Sequence, residues 1–235
     1  MLRIENLVFN PFQENTFVIW DETKECAICD PGCMDEGERK RLEDVIAREG
    51  LTPKAVLLTH GHADHTYGAG FCAKKYGATV YMREVDRHIS LLHSQFVTRI
   101  GMPELDVDFD ITAIREEDVI KVGSHVFTVI ETPGHTPGGA CFLCIAEKLL
   151  LSGDTLFRGT IGRTDLDEGN YDDLMRSITG KLLGLAGDID VLPGHGPSTT
   201  IAEEVQNNPF LAPFNEEIDE EQARGNAIEP TIKDE

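Results

Sequence analysis

Apolar and polar residues along this chain fall into short alternating or apolar runs that read as strands, broken by stretches with helical spacing. The chain opens on three strand-like runs, LRIENLVF, NTFVIWD and ECAICD, separated by Pro, Asn and charged turns. In EGERKRLEDVIAREG the apolar residues Leu42, Val45 and Ile46 recur at the period of one helix face, and Gly50 is placed to end that helix. A short apolar strand, KAVLLT, then runs directly into HGHADH. A helix over residues 64–76 is expected next, stopping at Gly77, then strand ATVYM and a helix over residues 83–92. Residues 101–114 are irregular and acidic and read as a surface loop over one edge. Strands return at DVIKVG, HVFTVIET, GACFLCI and KLLLSG. A helix over residues 171–183, strand DIDVLP and a helix over residues 198–207 finish the core.

A length of 235 residues is enough for one substantial core, so residues 1–214 are expected to form one domain. Residues 216–235 hold eight acids against two bases, with few apolar positions, so 215–235 read as a flexible acidic tail. The formal charge of -21 argues against nucleic-acid partners, which need a basic footprint. No apolar run approaches the ~18 residues of a membrane span. The opening MLRIENLVFNPFQENTF has acids and Asn where a signal peptide would be basic and then apolar, so a cytoplasmic location is expected. A monomer or homodimer acting on a small molecule fits these features.

Cysteine usage adds little chemistry. Cys26 with Cys29 and Cys141 with Cys144 form two C-x-x-C pairs, each inside an expected strand. Residues three apart on a strand point to opposite faces, so neither pair closes on a metal. Reduced, half-buried thiols are expected, and Cys33 and Cys72 have no metal partner in the sequence.

Four places share one arrangement, in which an apolar strand ends and a metal-ligand residue type stands in the turn that follows. They are AVLLT then His60, His62, Asp64 and His65; FTVIETPG then His135; LLLSG then Asp154; and DVLPG then His195. Strand-end loops let a rigid scaffold aim side chains into one shared pocket. Gly61, Gly134, Gly153 and Gly194 stand beside these residues, where bulk would hinder close approach. Imidazole and carboxylate suit zinc, with iron and manganese as alternatives, and seven donors exceed what one tetrahedral ion uses. Two divalent ions sharing a carboxylate would employ them all. His88, His93 and His125 lack this context and read as surface or satisfied core residues.

The motifs THGHADH (59–65), TPGHTPGG (132–139), SGDTLF (152–157) and PGHGP (193–197) resemble the metallo-β-lactamase superfamily. The segments GDTLFRGTIGRTDLDEG and PGHGPSTTIAEEVQNNPF look like its short glyoxalase II-like hydrolases. The resemblance implies an α+β fold, a four-layer αββα sandwich with metals at one edge. It implies that His60, His62 and His135 hold one ion, that Asp64, His65 and His195 hold the second, and that Asp154 bridges. A hydroxide shared by two cations would then attack a carbonyl carbon, with Asp64 orienting it or taking its proton. The implied substrate is a thioester such as S-lactoylglutathione. Arg163 resembles a glutathione-contacting base, and a structural pair with Asp165 or Asp167 is the other reading; Arg158 is a second candidate contact. The longer glyoxalase II enzymes carry a C-terminal helical domain without counterpart here, so a broader thioesterase is expected. An iron-dependent persulfide dioxygenase is the alternative, because that group shares the histidine motif and G-R-T-D, seen here at 162–165. The PGHGP ending matches the hydrolases instead. Lactonase or β-lactamase activity stands further off.

Overall fold

Among the described residues, fourteen strands pair into two six-stranded sheets and one small hairpin. The computed structural model describes residues 1–166 and 168–214. The expected acidic tail, 215–235, and Asp167 lie outside the described residues. In the first sheet β1 (Arg3–Phe9), β2 (Glu14–Trp20) and β3 (Glu25–Cys29) run antiparallel. They continue in parallel with β4 (Thr52–Leu57), β5 (Thr79–Met82) and β6 (Ile111–Ala113). The second sheet has the order β14 (Thr199–Thr200), β13 (Asp190–Pro193), β10 (Leu149–Gly153), β9 (Ala140–Cys144), β8 (His125–Glu131) and β7 (Val119–Val122). The hairpin of β11 (Leu156–Phe157) and β12 (Thr160–Ile161) is hydrogen-bonded into neither sheet but packs Leu156 and Ile161 against the second.

Alternation along the central strands explains the layers. Phe17, Ile19, Ala27 and Leu57 of the first sheet meet Phe127, Val129, Phe142 and Leu151 of the second in one buried cluster. The opposite faces are also apolar, so each must be covered by helices. Val18, Ile28, Val56 and Val80 are covered by Leu42, Val45 and Ile46 of α1 (Glu36–Glu49) and Cys72 of α3 (Ala69–Tyr76). Leu150 and Val191 are covered by Leu174 of α5 (Tyr171–Ser177), Ile178 of the π-helical turn that continues it, and Ile201 of α6 (Ile201–Asn207). The result is the four-layer αββα sandwich. Helix α1 begins where the Asp35 carboxylate accepts the Glu38 amide (2.9 Å) and ends at Gly50 in the left-handed conformation, φ 64°.

Both sheets are covered on both sides, which corrects one expectation. All six cysteines are buried rather than half-buried, and all are free. Cys26 and Cys29 lie on opposite faces of β3, in different clusters, and so do Cys141 and Cys144 on β9. Burial pushes the Cys26 thiol up to about 12 and Cys141 to about 11.

Four element boundaries also differ. The helix expected over 64–76 is two, α2 (Ala63–Thr66) and α3. The bond from the Gly68 amide to the Asp64 carbonyl is missing because both partners are taken. Gly68 N–H donates to Pro31 O (2.6 Å), and Asn10 Nδ2 donates to Asp64 O (2.9 Å). The helix expected over 83–92 is α4 (Arg87–Arg99), entered through a 3-10 turn. The expected loop 101–114 ends in β6, which extends the first sheet beside β5. Residues 199–200 form β14, so the last helix starts later, capped by the Thr200 hydroxyl on the Glu203 amide (3.1 Å). No helix among the described residues is long and apolar enough to cross a membrane.

Candidate metal centre

All seven expected donor residues converge. His60, His62, Asp64 and His65 come from the loop and short helix after β4, His135 from the loop after β8, Asp154 from the end of β10, and His195 from the end of β13. Each is thus carried at a strand's carboxyl end. Three groups have donor atoms within 4.8 Å of one another: His60, His62 and His135; His60, His65 and Asp154; and Asp64, His65 and His195.

The spacing suits coordination. His62 Nδ1 lies 3.1 Å from His60 Nε2 and 2.9 Å from His135 Nε2. His65 Nε2 lies 3.2 Å from His195 Nε2, 3.6 Å from Asp64 Oδ2 and 3.4 Å from Asp154 Oδ1. Asp154 Oδ2 lies 3.4 Å from His135 Nε2 and 3.6 Å from His195 Nε2. Ligand atoms bound at ~2.0–2.1 Å around a tetrahedral ion are roughly 3.3–3.4 Å apart. Asp154 Oδ1 is buried and has no hydrogen-bond partner among the described residues, the condition a cation would relieve. A side chain at Gly194 would come within 2.4 Å of that oxygen and 2.5 Å of His65 Cε1, so this close approach requires glycine.

The imidazoles are turned inward by their other nitrogens. His65 Nδ1–H donates to Asp30 Oδ2 (3.1 Å), His135 Nδ1–H to Arg163 O (2.7 Å) and His195 Nδ1–H to Phe12 O (3.1 Å). The Thr59 hydroxyl donates to Asp30 Oδ2 (2.6 Å), so its oxygen accepts from His60 Nδ1–H (3.0 Å). Each of these contacts fixes a tautomer that leaves the Nε2 lone pair facing the cluster.

Electrostatics divide the cluster. Burial, then the neighbouring imidazoles, hold His60 and His62 well below the ordinary histidine range, so they are neutral donors. Burial alone would also lower His65, but the Asp154, Asp64 and Asp30 carboxylates raise it strongly. Burial would raise Asp64, yet His65 and His195 hold it well below the usual carboxylate range. Neutral imidazoles at one end and ionised carboxylates balanced by a charged His65 at the other suit a divalent cation, whose binding would displace the His65 proton and free its Nε2 lone pair.

Several supporting residues were not visible in the sequence. Asp30 also accepts the Thr59 amide (2.8 Å); it follows strand ECAIC just as the donors follow theirs, and that arrangement could have found it. Asp86, fully buried, accepts from Gly61 N–H (2.9 Å), the Thr136 hydroxyl (2.6 Å) and Gly138 N–H, tying the loop of His60 and His62 to the loop of His135. Asn15 Nδ2 donates to Pro193 O (3.0 Å) and Gly196 O (2.8 Å), holding the His195 turn. His93, expected at the surface or satisfied in the core, stacks on His62 at 4.2 Å and 18° and lines the pocket. His88 and His125 fit their expectation, His88 against Glu168 and His125 between Asp21 (3.0 Å) and Glu147 (2.7 Å).

Five of the donors, His62, Asp64, His135, Asp154 and His195, line a pocket of about 860 Å³ that also contains both expected substrate contacts, Arg158 and Arg163. Arg163 is exposed and paired through two hydrogen bonds with Asp165 (2.8 and 2.9 Å). Arg158 is exposed and has no ion pair among the described residues.

A four-layer αββα sandwich with a His/Asp cluster at the strand ends of both sheets defines the metallo-β-lactamase class of proteins. The chain belongs to the metallo-beta-lactamase superfamily, whose family model matches residues 9–197. It is similar to the hydroxyacylglutathione hydrolase GloC of Haemophilus influenzae, 38% identical over 212 residues, covering 89% of this chain and 98% of that protein. The probable metallo-hydrolase YqgX of Bacillus subtilis is 37% identical over 210 residues, 87% of this chain and 95% of the relative. Among solved structures, the BLEG-1 B3 metallo-beta-lactamase superposes with a TM-score of 0.80 at 34% identity, covering 89% of this chain and 99% of that one. TTHA1623 in a di-iron-bound form gives 0.79 at 31%, covering 88% and 100%. ETHE1 from Myxococcus xanthus gives 0.74 at 28%, covering 97% and 93%.

Proposed function

We propose that this chain is a metal-dependent thioester hydrolase of the hydroxyacylglutathione hydrolase type, with S-lactoylglutathione among its substrates. The observation that carries the reading is the seven-donor cluster at ligand spacing, five of whose members line an open pocket. The similarity to GloC supports the choice of thioester. His60, His62 and His135 would hold one divalent ion, and Asp64, His65 and His195 a second. Asp154 would reach both, with Oδ1 toward His65 and Oδ2 toward His135 and His195. Zinc is the first candidate, with iron and manganese as alternatives. Such ions supply Lewis acidity and lower the pKa of a bound water to about 7.

The chain's own residues set the rest of the chemistry. Asp64 Oδ2 faces His65 and His195, which leaves Oδ1 to orient the attacking water and take its proton. A thiolate leaves without a proton donor, and the pocket needs none. Arg158 is available to a carboxylate of the thiol carrier, whereas Arg163 must first leave Asp165.

The test is hydrolysis of S-lactoylglutathione and simple acyl thioesters by metal-loaded protein, run beside oxygen uptake on glutathione persulfide and hydrolysis of β-lactams. Thioester turnover that is lost on chelation and restored by metal supports the reading. No thioester hydrolysis would sink it. Iron-dependent oxygen uptake in its place would establish the persulfide dioxygenase alternative, which the likeness to ETHE1 leaves open.

A further inference from the structure

The pocket is far larger than a lactoyl group needs. At about 860 Å³ it lies high in the range of roughly 300–1,000 Å³ typical of sites that enclose drug-sized ligands. Its walls are chemically unequal. One wall is α4, where Ile89, Leu92, His93, Phe96 and Val97 recur three and four apart and so share a face. Ile89 and Val97 are buried beneath that wall, but Leu92 and Phe96 remain 45% and 51% exposed. Phe157, Ile161 and Leu166 line the pocket too, and Phe12, 47% exposed, stands with them. Apart from the donors, the pocket's formally charged residues are Arg158, Arg163 and Asp165, all on the segment after β11 and none on α4.

A thioester has two arms, an acyl group and a thiol carrier, and the pocket offers one apolar and one charged side. We infer that the favoured substrates carry a medium-length hydrocarbon or aryl acyl group. That group lies along α4 against Leu92 and Phe96, while the polar carrier faces Arg158. The naming of the arms rests on the proposed thioester chemistry; the apolar subsite itself rests on α4. Leu92 and Phe96 are then specificity-determining residues. Covering exposed apolar side chains of this kind is favourable in proportion to the area removed from water.

Two measurements on metal-loaded protein test this. Calorimetry compares S-methylglutathione with S-octylglutathione, thioethers that cannot be hydrolysed. A fully buried methylene is worth about fourfold in affinity, so octyl should bind roughly 100-fold tighter than methyl if about half of the added methylenes are covered. Phe96→Gln and Leu92→Gln, both at half-exposed helix positions that glutamine tolerates, should each reduce that ratio by about 10-fold. In parallel, kcat/KM for octanoyl, phenylacetyl and lactoyl thioesters of glutathione should favour the first two, and the same variants should lower the octanoyl-to-lactoyl ratio. Octyl binding no tighter than methyl would overturn the inference, as would a preference that both variants leave intact. Tight octyl binding that depends on α4, without hydrolysis of any thioester, would retain the apolar subsite and reject the thioester reading.

Discussion

Replacing Asp86 by alanine removes a carboxylate that touches no expected metal ligand yet joins two of the loops that carry them. In the native protein it accepts from Gly61 N–H, the Thr136 hydroxyl and Gly138 N–H. Burial pushes the Asp86 carboxyl up, and those three donors offset that push only in part. In the alanine variant the Thr136 hydroxyl can turn elsewhere, but the two amides stay buried without acceptors. Each such orphan costs about 1–3 kcal/mol, and relief of the desolvated carboxylate offsets part of that. The net expectation is a loss of about 3 kcal/mol, or about 10 °C in Tm for a chain of this size. The more specific effect is on metal. Gly61 lies between His60 and His62, and Thr136 follows His135, so release of the tie loosens all three rings of one group. Supporting contacts of this kind are worth about 10–100-fold in metal affinity. Thermal unfolding and chelator competition on metal-loaded protein read the two effects separately. Asp86→Asn keeps one acceptor and should fall between the parent and alanine on both. A variant that unfolds early but holds metal as tightly as the parent would refute the loop-tying role, and one unchanged in both would refute the energetics.

Asp154→Ala should cost half of the bound metal and lower turnover by more than about 100-fold, beyond a supporting contact's range; metal analysis with thioester turnover checks it. His93→Ala should weaken metal binding by about 10-fold through loss of its stack on His62, and His93→Phe should restore part of it, as chelator titration would show. Asp21 provides a pH test away from the centre. Burial would raise its carboxyl, but hydrogen bonds from Thr23, Ser124 and His125 hold it well below its ordinary 3.8. The unfolded chain therefore takes up this proton at a higher pH than the folded one. Its stabilising contribution is complete above about pH 5 and is lost as pH falls below about 4. Urea unfolding of the parent and Asp21→Asn should converge over that acidic range and differ by a constant amount above it. Stripping the metal should lower Tm by about 25 °C, since saturation at a thousand times Kd contributes about 4 kcal/mol at each of two sites, as thermal unfolding with and without chelator would show.

The donor cluster was legible because its signal is local. Each donor follows an apolar strand directly, and a strand end fixes where the next side chain points. Asp30 obeys the same pattern after ECAIC, yet it stands one layer back and supports His65 and Thr59. The distinction depends on how closely β3 approaches β4, which is a tertiary quantity. His93 was hidden for a similar reason. The spacing of Ile89, Leu92, Phe96 and Val97 shows a helix with an apolar face but not that this face turns toward His62, 31 residues earlier. The break between α2 and α3 is set by Asn10 and Pro31, both remote in sequence, and no local propensity announces it. At three residues β6 is too short for alternation to show, and its parallel pairing with β5 defines it.

The supporting contacts show how the two halves of the centre are linked. Asp30 Oδ2 accepts hydrogen bonds from the Thr59 hydroxyl and from His65 Nδ1–H, and the Thr59 oxygen in turn accepts from His60 Nδ1–H. One buried carboxylate thereby orients a ring in each group, through groups that are themselves in the core. The other rings are held differently. His62 leans on His93 of α4, His135 donates to the carbonyl of Arg163, and His195 donates to the carbonyl of Phe12. Those three supports belong to the pocket walls. The core side of the centre is therefore fixed independently of substrate, while the outer side shares its supports with the surfaces that would contact the acyl group and its carrier. Change in those walls can alter which molecule is accepted, and the limit on such change is the orientation of His62, His135 and His195.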